Sequence, residues 1–195
     1  MRNSQEKKKW VENSGFQTSY AGWWMDLTRP EHSKYLPLEQ EGWGKQIELF
    51  REKLNGEVLV DPGGGNLPFF ASHFGARAYI GVNRSFNTQV NTIGSDRIID
   101  REKEGDTDLI ILEGDMLEFV SRINSDSVNF VMNGVDFSII QDERYNQAIA
   151  KEMIRATKPG GLIFGRSAFP ISNFMNSAET KTIFQFDDMI IKMKQ

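Results

Sequence analysis

Glu57-Val-Leu-Val-Asp61-Pro-Gly-Gly-Gly-Asn66 is the stretch on which the reading of this chain turns. Glu57 to Asp61 is β-branched and apolar between Gly56 and Pro62, which predicts a short strand inside a sheet. Pro62 biases Asp61 towards extended backbone and ends the strand. Gly63, Gly64 and Gly65 follow. Glycines adopt left-handed φ freely and, without a Cβ, let a ligand approach the backbone. Leu67 to Phe74 has the apolar spacing of a helix, with Pro68 in its first turn, where a missing N–H costs little. Strand, glycine turn and helix form the front half of a nucleotide-binding βαβ unit.

Downstream, the same alternation repeats. Ala78 to Asn83 reads as a second buried strand, Asp108 to Glu113 as a third, Ser127 to Asn133 as a fourth and Leu162 to Gly165 as a fifth. Between them, Arg84 to Ile93 is weakly helical, and Leu117 to Ile123 suits a short helix. Asp142 to Thr157 is a long helix with Tyr145, Ile149, Met153 and Ile154 on one face and Asp142 as its N-cap. Arg97 to Asp108 is charged, carries Gly105 and is expected to be a surface connection. Phe169 to Ala178 holds a short helical or irregular piece. Thr180 to Phe186 and Met189 to Met193, around Asp187-Asp188, predict a terminal antiparallel hairpin. The fold class is therefore α/β: a Rossmann-like, seven-stranded, mostly parallel sheet, with helices on both faces and a C-terminal antiparallel hairpin.

Upstream, the composition changes. All four tryptophans (Trp10, Trp23, Trp24, Trp43) fall in residues 1–50, with Tyr20 and Tyr35, and Pro30 and Pro37 break the segment. Trp43 to Leu54 is helical by spacing. Residues 1–50 are expected to be an aromatic-rich arm packed on the main domain of residues 51–195, either covering one side of the sheet or serving as a lid. The 195 residues suffice for one domain, and 39% hydrophobic and 26% charged residues are ordinary for a globular protein. A formal net charge of −4, with Lys7-Lys8-Lys9 as the one basic run, argues against a nucleic-acid partner. The chain has no cysteine, which excludes disulfides, thiolate metal sites and Cys nucleophiles. The absence of a long apolar run and of an apolar leader makes no membrane span and a cytoplasmic location the expectation.

Taken together, these segments resemble a class I S-adenosylmethionine-dependent methyltransferase from about Gly56 to the C-terminus. Val-Leu-Val-Asp61-Pro-Gly63-Gly-Gly65 is similar to the family's first motif, and Tyr-Ile-Gly-Val-Asn83 stands at its second strand. Glu113-Gly-Asp115-Met116 resembles the adenine-contacting segment, Asp126 to Asn133 the fourth-strand motif, and Ile154-Arg-Ala-Thr-Lys-Pro-Gly-Gly161 the turn before the fifth strand. The resemblance implies S-adenosylmethionine as cofactor. It implies binding by Asp61, Gly63, Gly64, Gly65, Asn83, Arg84, Asp115, Met116, Asn133 and Gly134. Asp61 would receive the ligand's ammonium directly or through water, and Asp115 would accept from the adenine amino group. Two positions depart from the pattern. Asn83 stands where the family has the acid that takes both ribose hydroxyls, and Leu67 stands in place of the third spaced glycine. An amide oxygen accepts one such bond, more weakly than a carboxylate.

The motifs also narrow the methyl acceptor. Asn133-Gly-Val-Asp136 after the fourth strand is not the Asn-Pro-Pro-Tyr type of exocyclic-amine methylases, and no paired glutamates of arginine methylases follow it. Without cysteine, pyrimidine-C5 methylation through a Cys nucleophile is excluded. A small-molecule acceptor is the expectation. Asp136 and His32 are the candidate bases, Tyr20 could cap the cofactor, and His73 on the first helix after the glycine turn is expected to be structural. No cluster has metal-ligand spacing. Two further readings stand beside the leading one. A non-catalytic partner or ligand-sensing subunit with a degenerate pocket is favoured by Asn83. A dinucleotide-dependent oxidoreductase shares the glycine turn but lacks the ribose acid.

Overall fold

The computed structural model describes residues 43–64, 67–83, 97–132, 142–166, 175–186 and 189–195, with the backbone alone for Trp43, Asn83, residues 97–100, Arg166 and Phe186. In chain order these are α1 (Trp43–Leu54), β1 (Val58–Pro62), α2 (Pro68–His73), β2 (Ala78–Asn83), β3 (Arg97–Glu104) and β4 (Thr107–Glu113). They continue with α3 (Met116–Ser121), β5 (Asn129–Met132), α4 (Glu143–Ala156), β6 (Leu162–Arg166), β7 (Thr180–Phe186) and β8 (Met189–Lys194). Among the described residues no helix is long and apolar enough to cross a membrane.

The apolar runs pair into one sheet of order β3-β4-β2-β1-β5-β6-β8-β7. Its middle five strands, β4, β2, β1, β5 and β6, are parallel. A strand buried on both faces needs apolar residues on both, which is why these runs are near-continuous rather than alternating. The hairpin β7–β8 joins β6 antiparallel, as its alternating sequence predicts.

One expectation is corrected. Among the described residues the sheet has eight strands rather than seven, because Arg97 to Asp108 is not a surface connection: it forms β3 and the start of β4, paired antiparallel. Glu104 pairs with Thr107, so Gly105 and Asp106 make a two-residue turn, with Gly105 at φ 59 where a tight hairpin selects glycine. β3 lies at the edge of the described sheet, so its two faces are only partly covered and need few apolar residues. Charges such as Arg101, Glu102 and Lys103 are tolerated there and discourage further pairing.

Side-chain alternation splits the sheet between two cores. On one face Leu59, Tyr79, Ile111, Phe164 and Ile191 meet Phe50 and Leu54 of α1 and Phe70 of α2. The Phe50 ring lies 5.4 Å from Phe70 and 4.9 Å from Phe164, edge to face. On the other face Val60, Phe130, Met132 and Ile163 meet Met116 and Val120 of α3 and Ile149 and Met153 of α4. Asp142 caps α4 as predicted, accepting from the N–H groups of Arg144 and Tyr145. Tyr79 and Ile80 are successive residues on opposite faces, and that parity decides which side chains of β2 can reach those of β1 and β4.

Candidate functional site

After β1 the chain crosses to β2 on one side, and the strand that follows β4 and α3 is β5 on the other side of β1. The β1–β5 boundary is thus the topological switch point, where crossover connections diverge and open a crevice at the carboxyl ends of the strands. The glycine turn lies at that boundary. Gly63 takes φ 80 and donates to the Val82 carbonyl at 2.6 Å, so the bend is tied to β2. The Gly64 N–H closes back on the Asp61 carbonyl at 3.1 Å.

Asp61 lies beneath this bend and not on its outer surface. The residue is 0% exposed. The Tyr79 hydroxyl donates to its Oδ2 at 2.6 Å, and the same hydroxyl accepts the N–H of Leu67, the residue that opens α2, at 3.2 Å. A Cβ on Gly64 would stand 2.1 Å from Asp61 Oδ2 and 2.3 Å from Oδ1. Glycine is required there because the carboxylate fills the space of a side chain. Burial above all, and then the adjacent Asp61 charge, raise the Tyr79 hydroxyl well above its ordinary pKa, so it stays protonated and donating. The unit Asp61–Tyr79–Leu67 therefore fastens strand, bend and following helix together.

A second acid lies at the end of β4. Asp115 is the N-cap of α3: its Oδ1 accepts the Glu118 N–H at 2.9 Å. The Tyr145 hydroxyl, brought by the first turn of α4, lies 3.3 Å from Oδ1 and 3.2 Å from Oδ2, and accepts the Leu117 N–H at 3.2 Å. Asp115 and Tyr145 are both half-buried. Met116 is buried in the core of the α3–α4 face, so its side chain is a packing group there. Asn83 ends β2, and its register partner on β4 is Glu113.

Gly65, Arg84, Asn133, Gly134, Asp136 and His32 lie outside the described residues, as do Tyr20 and the arm up to residue 42. His73 is exposed in the last turn of α2, with its ring 4.9 Å from that of Phe74. Among the described residues no group of three His, Asp or Glu could hold a metal ion. The sequence reading missed the two tyrosines. Tyr79 was available as a polar-tipped residue in an apolar strand, in phase with Gly81 and Asn83. Tyr145 reads there as one more apolar position of α4, although it lies in the helix's first turn, near the strand ends.

No family model and no curated protein matches the chain. Among solved structures it is similar to yhhF of Escherichia coli, which bears a methyltransferase name, at 9% identity and a TM-score of 0.50, over 78% of this chain and 84% of that one. It is also similar to SMU.1697c of Streptococcus mutans, with a methyltransferase name and crystallised with SAH, at 11% identity and a TM-score of 0.47, over 80% and 99%. A methyltransferase from Geobacter sulfurreducens aligns at 10% identity and a TM-score of 0.44, over 100% and 99%. At such identities the likeness is one of fold alone: this chain has a Rossmann-like α/β fold, similar to that of yhhF.

Proposed function

We propose that this chain is an S-adenosylmethionine-dependent methyltransferase that acts on a small-molecule acceptor. The observation that carries the reading is the glycine bend at the β1–β5 switch point, underpinned by a buried acid and flanked at the next two parallel strand ends by Asn83 and by the Glu113–Asp115 segment.

The residues fit such a cofactor. Gly63 carries no side chain, which would leave its backbone open to the amino-acid and ribose parts, while Gly64 gives up its side-chain space to the Asp61 carboxylate that supports the bend. Asp61 holds the bend from below through Tyr79, so its contribution is to the shape and field of the bend rather than to direct contact in this state. Asn83 would accept from one ribose hydroxyl, and Asp115 from the adenine amino group. When bound, the cofactor supplies an electrophilic methyl on a sulfonium. The protein's task is to hold a nucleophile in line with it and to exclude water. Asp136 and His32 remain the candidate bases. The net charge of −4 supports a small acceptor over a polyanion.

A calorimetric titration with S-adenosylhomocysteine and, separately, with NAD tests the cofactor: saturable binding of the first alone is expected, and binding of neither sinks the reading. Asn83 also favours a second reading, a non-catalytic ligand-sensing subunit. Transfer of labelled methyl groups into a small-metabolite extract separates the two, because a sensing subunit would bind the cofactor and transfer nothing.

A further inference from the structure

We infer that Tyr145 makes the site select an adenine over its deaminated counterpart, by fixing the direction in which the Asp115 carboxylate accepts. The inference rests on the cofactor reading above and concerns a residue that reading does not use. A helix cap alone holds a carboxylate loosely. The bond from Cβ to the carboxyl carbon is a broad, soft torsion, and one N–H on one oxygen restrains the group at a single point. Asp115 has such a cap, from Glu118 N–H to Oδ1 at 2.9 Å.

Tyr145 adds a second point of attachment from another helix. Its hydroxyl sits astride the carboxylate, 3.3 Å from Oδ1 and 3.2 Å from Oδ2. The Leu117 N–H donates to the same phenol oxygen at 3.2 Å, which occupies a lone pair and turns the hydroxyl proton towards the acid. The ring packs against the core of the α3–α4 face, so the hydroxyl cannot follow a moving carboxylate. Asp115 is thereby set from two sides.

The chemistry at the ligand end gives this a consequence. An ionised carboxylate only accepts. Adenine presents hydrogens on its 6-amino group. Hypoxanthine presents an oxygen at that place and its hydrogen one ring position away, on N1. A carboxylate free to turn could follow that hydrogen, and a carboxylate held by Tyr145 cannot. Tyr145 is a positioning residue: it acts through Asp115.

The test is a titration of the wild type, Tyr145→Phe and Asp115→Asn with S-adenosylhomocysteine and with S-inosylhomocysteine. The wild type is expected to prefer the adenosine ligand by about tenfold or more, the scale of a misplaced hydrogen bond to a charged group. In Tyr145→Phe the adenosine ligand should weaken by about fivefold while the inosine ligand holds or gains, so the preference shrinks to about twofold. A merely structural tyrosine would weaken both ligands equally, and that outcome, or an unchanged preference, overturns the inference. Asp115→Asn keeps a capping oxygen but adds an N–H that suits the 6-oxygen, so it should reverse the preference. If Tyr145→Phe does not fold, an unreversed preference in Asp115→Asn overturns the inference instead. Binding of neither ligand by the wild type would bring down the cofactor reading itself, and this inference with it; a discriminating wild type with an equally discriminating Tyr145→Phe removes the inference alone.

Discussion

Asp61 and Asp115 are held by the same device in different surroundings. Each carboxylate takes a tyrosine hydroxyl, and each tyrosine accepts a backbone N–H from the start of the following helix, Leu67 in one case and Leu117 in the other. The Asp61–Tyr79 pair is fully buried, and its bond is 2.6 Å long, in the range of charge-assisted O–H···O bonds. The Asp115–Tyr145 pair is half-buried, and its hydroxyl is spread over both oxygens at 3.2 and 3.3 Å. Low dielectric strengthens the first bond and makes its loss costly; access of solvent to the second weakens it. One pair is foundation for the glycine bend, and the other belongs to the rim.

That contrast can be broken at several points. The largest expected effect is from Tyr79→Phe, which removes a donor from a buried carboxylate and should cost about 3 kcal/mol of stability in urea unfolding; a loss under about 1 kcal/mol would mean that the pair does not carry the bend. Gly64→Ala should cost about 2 kcal/mol, because the new methyl must displace the Asp61 carboxylate from beneath the bend. Its check is the same unfolding curve, together with loss of S-adenosylhomocysteine binding. A wild-type affinity in that variant would show that the carboxylate can move aside freely.

The pH dependence sharpens the comparison further. Burial and the Asp61 charge raise the Tyr79 hydroxyl, so the folded protein keeps a proton that an unfolded tyrosine gives up above about pH 10. The unfolded state then binds fewer protons than the folded one. This contribution is whole below pH 10 and is lost as pH rises above it, at about 1.4 kcal/mol per unit. Stability measured by urea unfolding between pH 9 and 11.5 should show that slope in the wild type and a shallower one in Tyr79→Phe. The smallest effect belongs to the rim. Tyr145→Phe should cost under about 1 kcal/mol, as expected for a half-exposed bond, and a cost matching that of Tyr79→Phe would erase the distinction between the pairs.

Much of this architecture is legible in the residues. The glycine bend, the five parallel strands, the capped α4 and the closing hairpin all follow from local apolar period and turn chemistry, which need no knowledge of neighbours. β3 was illegible because an edge strand with charges on both faces is indistinguishable from a polar connection until its partner is known. The support that Asp61 gives the bend and the cap that Asp115 gives α3 were not legible. A carboxylate after a strand can face a ligand, cap a helix or support a turn, and each needs the same residue type in the same place.

What the chain determined by itself is the alternation of strand and helix and the glycine bend after β1, because both depend on residues within one turn or one strand of each other. What only the tertiary structure decided is which tyrosine meets which aspartate. Tyr79 is 18 residues from Asp61, and Tyr145 is 30 from Asp115. The first meeting depends on the register of β1 against β2 and the second on how α4 packs beside α3. Register and packing are properties of the assembled sheet: side chains far apart in sequence share a face only after the crossovers have placed their strands and helices side by side.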